Sequence, residues 1–377
     1  MKKIQMVDLI SQYEKINEEV DNAVLNVIKS SAYINGPEVK AFQSELEDYL
    51  GVKHVIPCAN GTDALQIAMM ALGFKPGDEV ITASFTYVAT AEVIALLQLK
   101  PVLVDVDPIT FSIDPQAIEA AITDKTVAIV PVHLFGQCVD MESILQIAQK
   151  HQLAVIEDTA QAIGADYTFQ DGHKQKSGTM GTIGCTSFFP SKNLGCFGDG
   201  GALYTNDDEL AKKVRMIANH GQSIQYVHDS IGVNSRLDSI QAAILRIKLR
   251  SLDAYCEARQ NAAAYYDQAF QGHSAITIPG RNEHSTHVFH QYTLQIKGGK
   301  RDALRAFLAT KEIPAMIYYP IPLHMQKAYM DSRYQKNTFP ITNALCDSVI
   351  SLPMHTELDE EQLSYISKAV LEFFDLQ

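Results

Sequence analysis

No stretch of this chain is apolar over enough residues to form a secretory signal peptide or to cross a membrane. The six cysteines include no C-x-x-C pair, and six are too few for a disulfide framework in a chain of 377 residues. We therefore expect reduced cysteines buried as small apolar side chains, no metal site, and a cytoplasmic protein.

Positive charge is also scarce. The chain has 31 Lys and Arg residues against 44 Asp and Glu residues, a formal net charge of -13. Because phosphate backbones are bound by basic surfaces, this balance argues against nucleic acid as a partner, although a local basic pocket for a small anion is compatible with it. Low-complexity tracts and blocks of like charge are missing, so the sequence predicts no disordered tail. A composition of 46% hydrophobic and 20% charged residues fits a compact protein with a substantial core.

Short apolar runs alternate with amphipathic ones along the first half of the chain. The pattern predicts helices at 38–50, 62–72, 87–97 and 141–149, a further helix after Asp114-Pro115, and strands at 54–58, 79–84, 101–106, 126–132 and 153–157. Such alternation is typical of an α/β fold with a mainly parallel, doubly wound sheet. In these sheets ligands bind beyond the carboxyl ends of the strands.

The second half of the chain predicts a smaller domain. The segment 236–270 contains no proline or glycine and predicts one or two long helices. We place the domain boundary there, between a large domain at 1–245 and a small C-terminal α+β domain at 246–377. Helices are also predicted at 207–219, at 302–310 and from Glu360, and a strand at 291–296.

A lone lysine, Lys192, stands between an apolar run and a glycine-rich segment in T-S-F-F-P-S-K-N-L-G-C-F-G-D-G-G. Partial burial disfavours the ammonium form and lowers the pKa of a lysine, and a neutral amine can condense with a carbonyl. An isolated lysine is more often a solvated loop residue. The reactive interpretation therefore depends on the neighbouring motifs.

Two other segments supply such motifs. The first is C-A-N-G-T-D-A-L, which follows a predicted strand and opens a helix. The free N–H groups at the start of that helix could attract a phosphate. The alternative is a plain N-cap, with Asn60 or Thr62 as the capping residue. The second is E-D-T-A-Q, in which Asp158 is expected at the end of a buried strand. A carboxylate there could keep a pyridine nitrogen protonated. The alternative is that Asp158 caps a helix or binds a metal. A phosphate site, a strand-end acid and a lysine, in that order, suit pyridoxal phosphate.

With F-T-Y-V-A-T-A-E, P-V-H-L-F-G-Q and G-V-N-S-R-L-D, these motifs make the whole chain resemble the DegT/DnrJ/EryC1/StrS family of sugar-nucleotide aminotransferases. The resemblance implies a fold-type I pyridoxal phosphate (PLP) enzyme. It also implies a large domain with a mainly parallel seven-stranded sheet, a smaller C-terminal domain, and a homodimer with shared active sites.

The resemblance also implies roles for single residues. Lys192 bonds to the cofactor aldehyde and moves the substrate proton, Asp158 pairs with the pyridine nitrogen, and Gln161 lies against the ring hydroxyl. Tyr87 stacks on the ring, and Asn234 reaches the phosphate held by the neighbouring subunit. The phosphate is held by Gly61, Thr62, Asp63 and Ser187. Substrate binding is assigned to Arg236, Tyr318, Tyr319 and His324. For His133, a packed or supporting role is favoured over acid–base catalysis.

Within the family, the motifs resemble most the O-antigen enzymes that aminate UDP-N-acetyl-3-oxo-glucosaminuronic acid, with glutamate as donor. A uronate carboxylate would explain Arg236, since guanidinium binds carboxylate bidentately. The chain departs from that pattern at Tyr318, where a histidine is expected, and at Asn193, where a proline is expected. The alternatives are a dTDP- or GDP-linked 3-oxo or 4-oxo-6-deoxy sugar, another fold-type I enzyme acting on amino acids, and a non-catalytic regulator.

Overall fold

The computed structural model describes residues 2–376, and a seven-stranded sheet lies at its centre. The helices are α1 (Leu9–Glu14), α2 (Asn17–Ser30), α3 (Pro37–Leu50), α4 (Gly61–Leu72), α5 (Ala89–Leu96), α6 (Pro115–Ala121), α7 (Met141–His151), α8 (Asp208–Ala218), α9 (Ser239–Leu249), α10 (Leu252–Phe270), α11 (Arg301–Thr310), α12 (Pro340–Ser348) and α13 (Glu360–Asp375). The strands are β1 (His54–Cys58), β2 (Glu79–Ala83), β3 (Lys100–Val104), β4 (Thr126–Val130), β5 (Ala154–Asp158), β6 (Asp166–Thr168), β7 (Lys174–Lys176), β8 (Ile183–Ser187), β9 (Gly201–Thr205), β10 (Gln222–Ile224), β11 (Val227–His228), β12 (Ile276–Thr277), β13 (Tyr292–Ile296) and β14 (Val349–Leu352).

The central sheet has the strand order β1-β9-β8-β5-β4-β2-β3. Only β9 runs against the others, since it pairs antiparallel with both β1 and β8 while the remaining pairs are parallel. The mainly parallel sheet predicted from the alternation of strands and helices is confirmed, and so are the seven strands that the resemblance implies. The carboxyl ends of six strands and the first residue of β9 therefore meet at one edge.

Helices cover both faces of this sheet. Successive strand residues point to opposite faces, and in β1 the side chain of Val55 joins one buried cluster with helices α3 and α7, while Ile56 joins another with α4 and α8. Burial on both faces explains why the strands read as continuous apolar runs rather than alternating ones. The doubly wound α/β arrangement is thus confirmed.

Helix ends follow the expected local chemistry. Helices α3 and α4 stop at Gly51 and Gly73, whose φ angles of 67° and 77° are left-handed. Asn60 caps α4, because its side-chain oxygen accepts a hydrogen bond from the Asp63 N–H. The capping alternative for Asn60 is therefore correct, and it does not exclude an anion at the same helix start.

A second, smaller sheet of β12, β13 and β14 packs with α10, α11 and α13. Its buried cluster is built from residues beyond 261 together with Ile4. The uninterrupted segment 236–270 forms two helices, α9 and α10. Helix α9 spans residue 245 and packs on α2 and α3. The domain boundary at 245/246 remains a prediction.

Several boundaries differ from the sequence prediction by one or more residues, and three of these differences lie near the carboxyl ends of the strands. The helix expected at 87–97 is α5, so Tyr87 lies in the loop before it. The strand expected at 126–132 ends at Val130, although Val132 still bridges to Asp158. The strand expected at 153–157 is shifted by one residue and includes Asp158, which places that carboxylate at the sheet edge.

The structure also bears on the cysteines, on membrane-spanning helices and on clusters of metal-ligating side chains. All six cysteines are free and buried. Within residues 2–376, no helix has both the length and the apolar character needed to span a bilayer. In the same part of the chain, no group of three or more His, Cys, Asp or Glu side chains has an arrangement that could hold a metal ion.

Candidate active site

A cavity of about 500 Å³ opens at the edge where the strand ends meet. Most of its lining comes from the loops after β1, β2, β5 and β8, and the residues 290, 291, 318 and 319 close it from the second half of the chain. The sites predicted from the sequence and found in its wall are Gly61, Thr62, Tyr87, Asp158, Gln161, Ser187, Lys192, Tyr318 and Tyr319. The three motifs singled out in the sequence therefore form one site.

One end of the cavity is a glycine-built cradle at the start of α4. A Cβ atom on Gly61 would lie 2.6 Å from the Cβ of Ser187, and one on Gly201 would lie 2.4 Å from the Asn60 carbonyl carbon. Only glycine allows these three chain segments to approach so closely. The first N–H groups of α4 and the Ser187 hydroxyl therefore face the same small volume, which suits a phosphate group.

Lys192 lies on a tight turn after β8. Its backbone N–H donates to the Phe189 carbonyl at 2.8 Å, and a Cβ on Gly195 would lie 2.3 Å from the Pro190 oxygen. Burial lowers the pKa of Lys192 to about 8, and the nearby charge of Asp158 opposes part of that shift. The neutral amine is therefore far more populated near neutral pH than in a lysine with an ordinary pKa. The solvated-loop alternative does not fit this environment.

The Asp158 carboxylate is buried and held by two donors. Thr90 Oγ1 donates to Oδ2 at 3.0 Å, and the Ala160 N–H donates to Oδ1 at 3.1 Å. Desolvation raises the pKa of Asp158, whereas these hydrogen bonds and the Lys192 charge lower it. A cation placed against this carboxylate would favour its ionised form.

Gln161 and the aromatic side chains form the remaining wall. Gln161 Oε1 accepts from the Phe135 N–H at 2.7 Å, and its Nε2 donates to the Tyr319 hydroxyl at 3.2 Å. The Tyr87 ring is 57% exposed and lies 6.2 Å from the Tyr319 ring. An exposed face at Tyr87 is available to stack on a planar ligand.

Four predicted site residues lie outside the lining of this cavity. Asp63 follows the helix start at the same end, whereas Asn234 and Arg236 lie on the segment before α9. His324 is 2% exposed, and its Nδ1 lies 2.8 Å from the Ser84 hydroxyl. The His324 ring also packs edge-on against Phe339, which gives it a place in a separate buried cluster.

His133 is fully buried and pairs with a buried carboxylate. The His133 Nε2 lies 2.9 Å from Glu157 Oε2. The same carboxylate oxygen accepts a hydrogen bond from the Gly178 N–H at 2.8 Å. The His133 Nδ1 accepts a hydrogen bond from the Val139 N–H. This network ties the loop after β4 to the loop before β8. The packed, supporting role favoured for His133 agrees with this placement.

Sequence reasoning missed several contributors. His290 and Gln291 line the cavity although they precede β13, nearly a hundred residues after Lys192. Thr90 holds Asp158 from the start of α5, and the Asn193 side chain donates to the Val288 carbonyl at 2.9 Å. The polar H-Q pair at the start of an apolar strand was the only local signal for His290 and Gln291.

The residues present fit a cofactor that combines a phosphate, a pyridine ring and an aldehyde. The cradle that a Cβ at Gly61 would fill offers anion donors. Asp158 offers a buried carboxylate for a ring cation, and Lys192 offers an amine with a lowered pKa. All three groups line one cavity.

Comparisons with known proteins point in the same direction. The model of the DegT/DnrJ/EryC1/StrS aminotransferase family matches residues 14–371. A "pleiotropic regulatory protein" of Geobacillus stearothermophilus is 47% identical, covering 98% of this chain and 98% of its own length. The UDP-2-acetamido-2-deoxy-3-oxo-D-glucuronate aminotransferase of Pseudomonas aeruginosa is 47% identical, with coverages of 97% and 99%. The UDP-N-acetyl-3-dehydro-alpha-D-glucosamine 3-aminotransferase of Acidithiobacillus ferrooxidans is 44% identical, with both coverages at 97%.

Two solved structures share the fold over nearly the whole chain. Streptomyces venezuelae DesV in complex with a ketimine intermediate has a TM-score of 0.94 and 37% identity, with both coverages at 99%. NtdA of Bacillus subtilis with bound cofactor PMP has a TM-score of 0.91 and 30% identity, covering 100% of this chain and 86% of that one.

Proposed function

Since the chain belongs to the DegT/DnrJ/EryC1/StrS aminotransferase family, we propose that it is a PLP-dependent transaminase that converts a UDP-linked 3-oxo sugar into the 3-amino sugar. The observation that carries the proposal is the meeting of Lys192, Asp158 and the start of α4 in one cavity. Glutamate is the proposed amino donor, and UDP-2-acetamido-2-deoxy-3-oxo-glucuronate is the proposed acceptor, in the synthesis of a bacterial surface polysaccharide in the cytoplasm.

Each side chain has a task that follows from its surroundings. When bound, PLP supplies an electrophilic aldehyde and a ring that accepts electrons. The start of α4 and Ser187 would hold the phosphate, Asp158 would keep positive charge at the ring nitrogen, and Gln161 would orient the ring oxygen. Lys192 would hold the aldehyde end through its amine when substrate is absent. Once free, the Lys192 Nζ would act as the base that takes the proton from the substrate carbon.

The UDP-linked acceptor is supported by the two relatives named for UDP-linked 3-oxo sugars, at 47% and 44% identity. These two named substrates differ at C6, which carries a carboxylate in the glucuronate and a hydroxymethyl group in the glucosamine. Arg236 is partly buried and no ion pair to it is found within the described chain. A free guanidinium close to Asn234 favours the glucuronate.

The name of the Geobacillus relative describes a regulator, so a regulatory function is the second candidate. Regulation through ligand binding alone does not need a lysine with a lowered pKa and a buried carboxylate in the same cavity. Lys192 and Asp158 are both present in that arrangement, which favours catalysis. Amino transfer from glutamate to none of the sugar nucleotides tested would favour the regulator instead.

Replacing Arg236 with methionine is expected to lower kcat/KM for the UDP-linked 3-oxo-glucuronate about 100-fold, because the loss of a bidentate hydrogen-bonded ion pair at a substrate carboxylate removes on the order of 3 kcal/mol. Activity on the UDP-linked 3-oxo-glucosamine, which has no carboxylate, should change by less than about threefold. Steady-state kinetics with glutamate and both sugars measure the ratio. An equal fall in kcat/KM for the two sugars would show that Arg236 does not bind the substrate carboxylate.

We further propose a homodimer with shared sites. Asn234 is exposed and lies outside its own cavity, and the preceding segment presents Ile224, Tyr226 and Ile231, which are 69%, 83% and 86% exposed. Apolar side chains so exposed on one short hairpin are typical of an interface. They would place Asn234 near the cavity of a second copy.

Subunit mixing tests this arrangement. Lys192→Ala and Asn234→Ala subunits should each be nearly inactive alone, and after joint unfolding and refolding their mixture should regain activity. In a shared site, the hybrid dimer contains one pocket with both native side chains. A mixture that stays inactive, although hybrid dimers are detected by mass spectrometry, would mean that each subunit completes its own site. Mixing each variant with itself is the control.

A further inference from the structure

A buried histidine in the cavity wall has no task in the mechanism above. His290 lines the cavity, is 5% exposed, and has no hydrogen-bond partner for Nδ1 among the described residues. An unpaired buried ring nitrogen costs free energy. Such a group is therefore expected to gain a partner in a state of the enzyme that the free chain does not display.

The backbone around His290 is fixed against the turn that carries Lys192. The Asn193 side chain donates to the Val288 carbonyl at 2.9 Å, and Arg259 Nη1 donates to the Phe289 carbonyl at 3.1 Å and the His290 carbonyl at 3.4 Å. Both tethers are buried. They hold the His290 ring and the Lys192 side chain against the same cavity.

The charges around this ring keep it neutral. The pKa of His290 lies well below its usual value because of burial and because of the positive charges of Lys192 and of Arg259 on α10. A neutral imidazole retains a lone pair that can accept a hydrogen bond. On the Lys192 side, the negative charge of Asp158 on β5 acts on the amine and opposes the fall in its pKa that burial causes.

We propose that His290 is a positioning residue that accepts a hydrogen bond from the Lys192 amine when pyridoxamine phosphate occupies the cavity and leaves that amine unbonded. The inference rests on the proposed function, because it is there that Lys192 alternates between a bonded and a free state. A neutral acceptor holds the free amine at the cavity floor. The Asp158 carboxylate then remains available to the ring nitrogen of the cofactor. The Lys192 amine and the ring nitrogen therefore do not compete for the same carboxylate.

The pKa of the free Lys192 amine tests the proposal. Trace acetylation with acetic anhydride, followed by quantitative mass spectrometry of the Lys192 peptide across pH, reports that pKa in the full chain loaded with pyridoxamine phosphate. Because an acceptor stabilises the ammonium form, His290→Phe should lower the pKa by about one unit. His290→Gln, which restores an acceptor, should stay close to the wild-type value.

His287→Phe is the matched control. His287 is also buried on the same segment, but it stacks on Phe289 with ring centroids 3.8 Å apart and accepts the Phe289 N–H at its own Nδ1. This variant disturbs the segment equally and should leave the pKa of Lys192 unchanged. An unchanged or higher pKa in His290→Phe, an equal drop in His290→Gln, or an equal drop in His287→Phe would overturn the proposal.

A measurement on the wild-type protein covers the case in which His290→Phe does not fold. In a crystal structure of the chain with bound pyridoxamine phosphate, Lys192 Nζ is expected about 3 Å from a ring nitrogen of His290. A separation beyond about 4 Å would overturn the inference. Failure of the wild-type protein to bind pyridoxamine phosphate would overturn the proposed function and this inference together, whereas normal binding with any of the contrary results above would overturn the inference alone.

Discussion

Replacing Lys192 with alanine is expected to lower kcat/KM by about 10⁴-fold or more, because the variant loses both the amine that bonds to the cofactor and the proton carrier at the substrate carbon. The wild-type protein loaded with PLP should show a visible absorption band that borohydride removes, with the label recovered on the Lys192 peptide. The variant should retain bound PLP through the phosphate cradle, without borohydride-stable attachment.

Lys248 offers a matched control for this experiment. It is also buried, burial also lowers its pKa to about 8, and its Nζ donates to the Gly195 carbonyl at 2.5 Å. It does not line the cavity. Lys248→Met should cost on the order of 1–3 kcal/mol in the free energy of unfolding, while the attachment at Lys192 stays. A band in Lys192→Ala that borohydride still fixes to the chain would show that the lysine assignment is wrong.

Replacing Asp158 with asparagine is the second change expected to have a large effect. The substitution preserves size but removes the charge that would keep the ring nitrogen protonated, so kcat should fall on the order of 10²–10³-fold. Binding of PLP should weaken less, since the phosphate donors on α4 and Ser187 are unchanged. Stopped-flow absorbance of the half-reaction with glutamate separates the chemical step from cofactor binding.

Thr90→Val is the matched control for Asp158→Asn. It removes one hydrogen bond to Asp158 Oδ2, now 3.0 Å long, and leaves the carboxylate in place. One lost hydrogen bond to a charged group predicts a roughly tenfold fall in kcat. Near-normal half-reaction rates in Asp158→Asn would show that the carboxylate is not the partner of the ring nitrogen. An equally large loss in Thr90→Val would point to loop disruption rather than to lost charge.

Local patterns predicted much of the scaffold because local physics sets it. The strand His54–Cys58 was predicted at both ends, and α3 and α4 stop at the glycines expected to stop them. A buried parallel strand has to be apolar, and a left-handed helix end favours glycine, so both leave marks in the sequence. Strand β8 ends at Ser187, the residue that the resemblance assigns to the phosphate site.

Contacts between segments that are far apart in the chain cannot be recognised from local sequence patterns. Strand β9 is antiparallel in a parallel sheet because it hydrogen-bonds with β1, which lies more than 140 residues earlier. His324, which the resemblance assigns to substrate binding, lies within hydrogen-bond distance of Ser84 and packs against Phe339, contacts that its local sequence does not reveal. A histidine in a proline-rich turn has the same local sequence in either place. Only the packing around it distinguishes a ligand contact from a buried ring.

The sequence by itself determined the alternation of strands and helices in the first half of the chain, the motifs that meet at the sheet edge, and the lysine and carboxylate to which we assign the chemistry. The tertiary structure alone decided how closely the three glycine-lined segments approach, that Thr90 holds Asp158, and that His290 faces the cavity with Lys192. Backbone preferences and apolar periodicity act within a few residues, whereas the pKa of Lys192 and the partners of each buried polar atom depend on side chains far apart in the chain.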